Sequence, residues 1–214
     1  MNNNLNYFIS LIHNQYYLDS IEDNANEENN SYSIPYSLVQ EKNAVNKFYE
    51  SIKHCIRHSI EYTNWVKWFH ERYAPAICCV SHHAKTIEVH HHPLVLEDYI
   101  NFALAYIFDN NLSYTSNLIA DIVLRWHYAN CVGGCFLCKT CHVTFHDEHT
   151  VTIPENEIHW NFNNFINDKY LAQYVKDIDI TTKIVNYMPS LISKYSNVFN
   201  IKNNNEYSKF IAPD

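Results

Sequence analysis

Two stretches of the sequence decide the fold: IEVHHHPL at residues 87–94 and LCKTCHVTFH at residues 137–146. The first begins with the alternation of a short strand, which Pro93 ends because proline cannot donate a hydrogen bond to a neighbouring strand. In the second, His142 and His146 are four residues apart, so on a helix both imidazoles project from one face. This spacing allows both side chains to bind one metal ion.

The histidines are concentrated around these stretches, because ten of the fourteen lie from His82 to His159. Adjacent residues of a strand point to opposite sides, so His90 and His91 cannot serve one ion in the same way. One of them can bind a metal while its neighbour faces a substrate water. The sequence therefore predicts different roles for these two residues.

The cysteines predict a second metal site. Cys138 and Cys141 form a CxxC pair in the second stretch, and upstream Cys79 and His82 repeat the same two-residue gap. In the absence of a secretory signal, such a cluster indicates metal binding or free thiols rather than disulfides. We predict a tetrahedral structural zinc on these four residues. The residues that compete for the same role are Cys78, His83, Cys131 and Cys135.

Composition narrows the class of protein. The chain has 214 residues, 47% of them hydrophobic, but no apolar run approaches the roughly 18 to 20 residues of a membrane span. Its first residues, MNNNLNYFISLIHNQYY, lack the features of a secretory signal, so we expect a cytoplasmic location and no membrane partner. The formal net charge of -8 disfavours bulk electrostatic binding of nucleic acid. From residue 77 to 149, seven acidic residues outnumber the basic ones, which are Lys85, Arg125 and Lys139.

Periodicity predicts a mostly helical chain around short extended segments. An amphipathic helix is indicated between Ser37 and Arg72 by apolar residues at spacings of three and four: Val45, Phe48, Ile52, Cys55, Ile56, Ile60 and Val66. The adjacent Gly133 and Gly134 predict a tight turn with positive φ that leads into a strand. Further helices are predicted at residues 94–108, 116–129, 157–174 and 181–195, the last interrupted near Pro189.

Other residues near the two stretches are expected to be structural. His127 lies in an aromatic helix and is predicted to pack in the core, and His149 and His159 are predicted to be structural or exposed. The aromatic helix from Tyr62 to Tyr73 could stack nucleic-acid bases. We expect its rings to pack against the core instead.

Taken together, the two stretches resemble the HNH or ββα-metal endonucleases. IEVHHHPL is similar to the EVHHxPL strand and turn of this family, and LCKTCHVTFH to its LCxxCHxxxH strand and helix. A bacteriophage-type subset, in which helices separate the motifs and an IP strand follows them, looks closest, and residues 151–154 fit that strand. The resemblance implies an α+β fold, predominantly helical, with a small ββα-metal core embedded among helices.

This reading divides the chain into four segments. The core is assigned to residues 77–154, with a helical insertion at 94–130 between the motifs. The flanking segments are a mobile Asn-rich arm at 1–35, an amphipathic helical segment at 36–76 and a C-terminal helical segment at 155–214.

The resemblance also implies a site and an activity. His90 would be a metal ligand, His91 the general base that deprotonates water, and His142 and His146 the remaining ligands. The implied reaction is hydrolysis of DNA phosphodiester bonds with a divalent ion, Mg, Mn, Ni or Zn, at the histidine site. The leading hypothesis is therefore an HNH endonuclease.

One position departs from the family pattern and motivates an alternative. The asparagine that orders a loop about five residues before the second motif falls here on Gly133, with Asn130 the nearest candidate. Together with the acidic charge, this favours a catalytically inactive, zinc-stabilised binding or assembly module, as a subunit of a larger phage nucleic-acid complex. For the nuclease hypothesis, a protein partner that supplies affinity for DNA would reconcile the site with the net charge of -8. A weaker third hypothesis is a hydrolase of a smaller phosphoester.

Overall fold

The computed structural model describes residues 42–110, 112, 114–148 and 151–199 of the chain. The arm predicted for residues 1–35 and His149 lie outside the described residues. The described part forms two compact units, one made of residues 42–63 and 99–125, the other of residues 64–98 and 126–199.

Helices predominate, and the described sheet has two strands, so the predicted α+β class is confirmed. None of the described helices combines the length and the hydropathy that a membrane crossing requires. In chain order the elements are α1 (Lys42–Arg57), α2 (Ile60–Arg72), β1 (Ile87–His91), α3 (Leu96–Asp109), α4 (Ser116–Tyr128), β2 (Gly134–Cys138), α5 (Lys139–Glu148), α6 (Phe162–Asn167), α7 (Ile178–Tyr187) and α8 (Pro189–Lys194), with 3-10 turns at Glu155–Glu157 and Leu171–Lys176.

The single amphipathic helix predicted from the apolar stripe is wrong, because two helices replace it. Ser59 ends the stripe by capping α2, since its Oγ accepts a hydrogen bond from the backbone N–H of Tyr62 at 3.0 Å. Because α2 is a separate helix, the apolar stripe of α1 does not continue along it. Ile60, which the stripe predicted to be buried, is 67% exposed. The buried residues of α2 are Trp65 and Phe69, which confirms the predicted core packing for these two rings, whereas Trp68 is 37% exposed.

In the first unit, hydrogen bonds link α1 to α3 through Tyr49 and Asn101 and to α4 through Cys55 and Asn117. The hydroxyl of Tyr49 donates to Oδ1 of Asn101 at 3.0 Å, which satisfies a polar pair within this core. The rings of Phe48 and Tyr114 meet edge to face with centroids 6.1 Å apart. The fully or nearly fully buried apolar residues of this unit include Val45, Ile52, Ile56, Ile100, Leu104, Ile107, Ile119 and Val123.

The second unit contains the ββα arrangement that the two stretches predict. β1 and β2 pair antiparallel, with His90 opposite Cys135 and His91 opposite Gly134. α5 begins at Lys139, immediately after β2 ends, so the helix returns along the sheet that its own strand has just completed. The residues of both stretches are thereby brought to one small sheet and one helix.

The two glycines act through their missing side chains and not through positive φ, which neither adopts. A Cβ on Gly133 would lie 2.5 Å from the carbonyl oxygen of His92 and 2.7 Å from Cγ of Trp160. The predicted reason for the glycine pair was therefore wrong, although β2 does begin at Gly134. Close approach of the backbone to Trp160 and to the chain after β1 is the physical requirement.

The C-terminal segment is less regular than the periodicity predicted. In place of one helix over residues 157–174, there are two 3-10 turns and the short helix α6. Residues 151–154 enter no strand ladder; instead His159 forms a bridge to Gly134, with N···O distances of 2.8 and 3.1 Å. The predicted interruption at Pro189 is confirmed, since it separates α7 from α8.

We predict that Gly133→Ala lowers the free energy of unfolding by about 1–3 kcal/mol, because the new Cβ meets backbone and an indole ring. Gly134→Ala is the matched control, since its nearest contacts are longer, 3.1 Å to the carbonyl oxygen of His90 and 3.2 Å to Cζ of Phe69. Urea unfolding of the two variants measures the difference. Equal losses for both would contradict the role assigned to Gly133.

Candidate metal centres

Three histidines from the two stretches meet in one place. The ligand nitrogens of His90, His142 and His146 all lie within 4.8 Å of one another. Their ring centroids form a nearly regular triangle, with separations of 4.8, 5.0 and 5.1 Å. The helical spacing of four supplies two of these rings and β1 supplies the third, as the sequence predicted.

The environment of His90 fits a metal ligand. This residue is 3% exposed, and its Nε2 is a buried nitrogen without a hydrogen-bond partner among the described residues. Burial, followed by the nearby His142, His146 and His92, lowers the pKa of His90 to about 2. The ring is therefore neutral, which is the form that binds a metal. A divalent ion among the three imidazoles would satisfy the buried nitrogen.

A carboxylate supports the second histidine of the group from behind. Nδ1 of His142 lies 2.6 Å from Oε2 of Glu88. Because an ionised carboxylate only accepts, Nδ1 must donate, and Nε2 of His142 is left for a ligand. In the sequence, Glu88 stands out only as one of the acidic residues. The signal was its position two residues before His90, which puts both side chains on one face of β1.

His91, the predicted general base, lies on the opposite face of β1 from His90. Its Nε2 is 3.0 Å from Nε2 of His127, and the pair is buried. The indole of Trp65 stacks on His91 with the rings 8° from parallel, and it meets His127 edge to face. The predicted packing role of His127 is confirmed, since it is 1% exposed. The structure does not place His91 in the three-histidine group.

His92 is the second buried imidazole on the side of His90, and sequence reasoning gave it no role. The two ring centroids lie 6.0 Å apart, and Nε2 of His92 has no hydrogen-bond partner among the described residues. Burial lowers the pKa of His92 to about 4, so this ring is also neutral. Its other neighbours are the rings of Phe145 and Tyr187.

A second cluster gathers three thiols. The sulfur atoms of Cys78, Cys138 and Cys141 lie within 4.8 Å of one another. Of the four residues predicted for zinc, the structure brings together Cys138 and Cys141 but groups them with Cys78. Cys79 instead accepts a hydrogen bond from the thiol of Cys135, and the exposed His82 is not in the cluster. The adjacent Cys78 and Cys79 lie in a turn, where their side chains point in different directions. Sequence periodicity could not predict which of the two joins the cluster.

The thiols of this cluster differ in acidity. Burial raises the pKa of Cys78, but hydrogen bonds from the side chain and backbone of Ser81 and from the backbone of Cys138 outweigh it and bring the value to about 6. Burial raises the pKa of Cys141 to about 11. One thiolate stabilised by several N–H and O–H donors is a suitable starting point for binding a soft cation.

The loop before β2 is ordered by residues that sequence reasoning missed. Nε1 of Trp160 donates to the carbonyl of Cys131 at 2.8 Å, and Nδ2 of Asn164 donates to the carbonyl of Ala129 at 2.8 Å. The family's loop-ordering asparagine cannot stand at Gly133, because any Cβ there would collide with its neighbours. Trp160 and Asn164, from later in the chain, secure this loop instead.

These features define a predominantly helical α+β protein whose ββα unit carries two candidate metal centres. The family model described as bacteriophage G278-like virion protein matches residues 3–205. The chain therefore belongs to this family, which supports the expected phage origin. Comparison with curated proteins and with solved structures gave no significant match.

We predict that Glu88→Gln weakens binding of a divalent ion at the histidine centre by about 10–100-fold, because the neutral amide holds His142 less firmly in the required tautomer. Asp121→Asn is the control, since that carboxylate pairs with Arg125 on the exposed surface of α4. Competition titration with a chelator measures both affinities. An unchanged affinity in Glu88→Gln would remove Glu88 from the centre.

We also predict that the metal-free protein loses stability as the pH falls below 6.5. His90 and His92 have folded pKa values of about 2 and about 4, below the ordinary 6.5, so the unfolded chain takes up their protons first. The free energy of unfolding should fall by roughly 1 kcal/mol per pH unit for each histidine between pH 6 and 5. Urea unfolding with a chelator should give a shallower slope for His92→Gln, and an unchanged slope would contradict this assignment.

Proposed function

We propose that this chain is a metal-dependent endonuclease of the phage particle, which hydrolyses DNA phosphodiester bonds. The observation that carries the proposal is the convergence of His90, His142 and His146 with the carboxylate of Glu88 behind one ring. Three protein ligands are typical of catalytic sites, which keep a further position open, whereas structural sites are closed by four.

The donor set narrows the choice of ion. Imidazole nitrogens suit Zn, Ni and other transition metals, while Mg prefers oxygen ligands. A bound ion would stabilise the negative charge that develops on the phosphate and its leaving oxygen. In this proposal His90 anchors the centre from the buried side, and the half-exposed His142 and the exposed His146 face the solvent from which DNA arrives.

The residue that deprotonates water is the part of the proposal with two candidates. His91 follows from the family resemblance, but its Nε2 contacts His127 on the other face of β1. For His91 to act, that contact has to open. His92 is neutral and lies on the same side as His90, which gives it the more direct path to the centre. Paired substitutions distinguish the two.

The net charge of -8 bears on how DNA would be held. Few basic residues flank the centre, so this chain alone supplies little of the phosphate neutralisation that normally drives binding. Membership of a virion protein family supports a setting in which other proteins surround the chain. We propose that such a protein partner contributes the affinity for DNA, while this chain contributes the histidine centre.

A second candidate function is a metal-stabilised assembly module without catalysis. It is favoured by the position of His91, which is buried with Trp65 and His127 as a packing residue would be. In this case the two centres would serve to hold the ββα unit together. An assembly module does not have to bind DNA, so the negative charge of the chain does not require a partner to offset it.

The test is cleavage of supercoiled plasmid by the purified chain loaded with zinc, nickel or manganese, at low ionic strength and high protein concentration, so that weak binding to DNA suffices without the partner. The nuclease proposal predicts metal-dependent nicking that His142→Ala abolishes, and that falls by about 10²–10⁴-fold when the general base is replaced by alanine. His91→Ala and His92→Ala are the matched pair, and whichever variant loses cleavage identifies that base. Trp68→Ala, on the exposed side of α2, is the control variant, and it should cleave the plasmid as the wild type does. A metal-loaded wild type that leaves the plasmid intact favours the assembly module.

A further inference from the structure

The three-thiol cluster is built from two half-turns with matching geometry. In the first, the backbone N–H of Ser81 donates to Sγ of Cys78 at 3.4 Å. In the second, the backbone N–H of Cys141 donates to Sγ of Cys138 at 3.5 Å. Both donors lie three residues after the sulfur that accepts. Ser81 therefore occupies in the first half-turn the position that Cys141 occupies in the second.

The side chain of Ser81 completes the cluster. Its Oγ lies 3.5 Å from Sγ of Cys138, and it is also within hydrogen-bonding reach of the thiols of Cys78 and Cys141. Three sulfurs and one oxygen around a common centre are the arrangement that a tetrahedral ion requires.

We propose that Cys78, Cys138 and Cys141 bind one zinc ion and that the hydroxyl of Ser81 occupies its fourth position. This centre is separate from the three histidines and does not depend on catalysis. Thiolates are the ligands that zinc prefers in structural sites, and backbone N–H donors to the sulfurs offset part of their negative charge. With a neutral hydroxyl as the fourth ligand, the centre is less negatively charged than it would be with a fourth thiolate.

The position of this zinc gives it a structural consequence. The first half-turn precedes β1, and the second joins β2 to α5, so the ion ties together segments that are far apart in sequence. His142 directly follows the ligand Cys141. Because metal binding contributes free energy only in the folded state, the zinc stabilises the ββα unit and the start of the helix that carries two of the histidines.

The test uses a His142→Ala background, so that the histidine centre does not contribute metal. The full chain purified with zinc present should hold one zinc per chain by mass spectrometry of the metal. Adding Cys78→Ser should remove it, whereas adding Cys79→Ser should leave it, because Cys79 lies outside the three-thiol cluster and shares a hydrogen bond with the thiol of Cys135. Loss of zinc in Cys79→Ser with retention in Cys78→Ser would overturn the ligand set, and absence of zinc in the background itself would overturn the site.

The fourth position is tested by replacing zinc with cobalt in the same background. Three thiolates and one oxygen should give a tetrahedral cobalt spectrum with sulfur-to-metal charge transfer. Ser81→Cys, which supplies a fourth thiolate, should shift the visible bands to longer wavelength and strengthen binding. Thr140→Ser, which changes an exposed residue between Cys138 and Cys141, is the control for disturbance of the half-turn. An unchanged spectrum in Ser81→Cys would exclude Ser81 from the fourth position.

Discussion

The antiparallel pairing of β1 with β2 is the constraint on which both candidate centres depend. The two strands are five residues each and are separated in sequence by the helices α3 and α4. Pairing them therefore closes a long loop, which costs conformational entropy of the chain. Once they pair, His90 stands opposite Cys135, and the helix α5 leaves directly from the end of β2. That register brings His142 and His146 of α5 close to His90. It also brings Cys138 and Cys141 close to Cys78, which lies in the half-turn before β1.

The buried groups around this pairing explain why metal ions suit it. His90 contributes a buried nitrogen without a hydrogen-bond partner among the described residues, and an unpaired buried polar atom costs free energy. The thiol cluster poses a related problem, since several sulfur donors face one another with a single hydroxyl among them. An ion at each place would satisfy these groups and hold a small sheet that has few strands to stabilise it.

Much of the site followed from spacing. Alternation along β1 separated His90 from His91, and the interval of four residues joined His142 to His146; both features are observed. What spacing could not provide was the direction of side chains outside regular elements. The choice of Cys78 over Cys79 depends on a turn, and the support of His142 by Glu88 depends on how α5 lies over the sheet.

The errors in the fold have similar causes. A capping serine divided the predicted helix, although the spacing of apolar residues in the sequence runs on past it, because that spacing does not report where backbone hydrogen bonds end. The need for Gly133 arises from Trp160, a residue distant in sequence, and only the folded chain reveals that contact. The resemblance to HNH endonucleases and the membership of a virion protein family describe different aspects of the chain, its candidate site and its setting.

The proposed function requires that the three histidines bind one ion at an open site. X-ray absorption at the zinc edge tests it most directly, on zinc-loaded protein in which Cys78→Ser has removed the thiol centre. We predict a shell of nitrogen and oxygen at about 2.0–2.1 Å with the scattering of three imidazoles, no sulfur, and one oxygen from solvent. A shell that contains sulfur, or that lacks imidazole scattering, would contradict it.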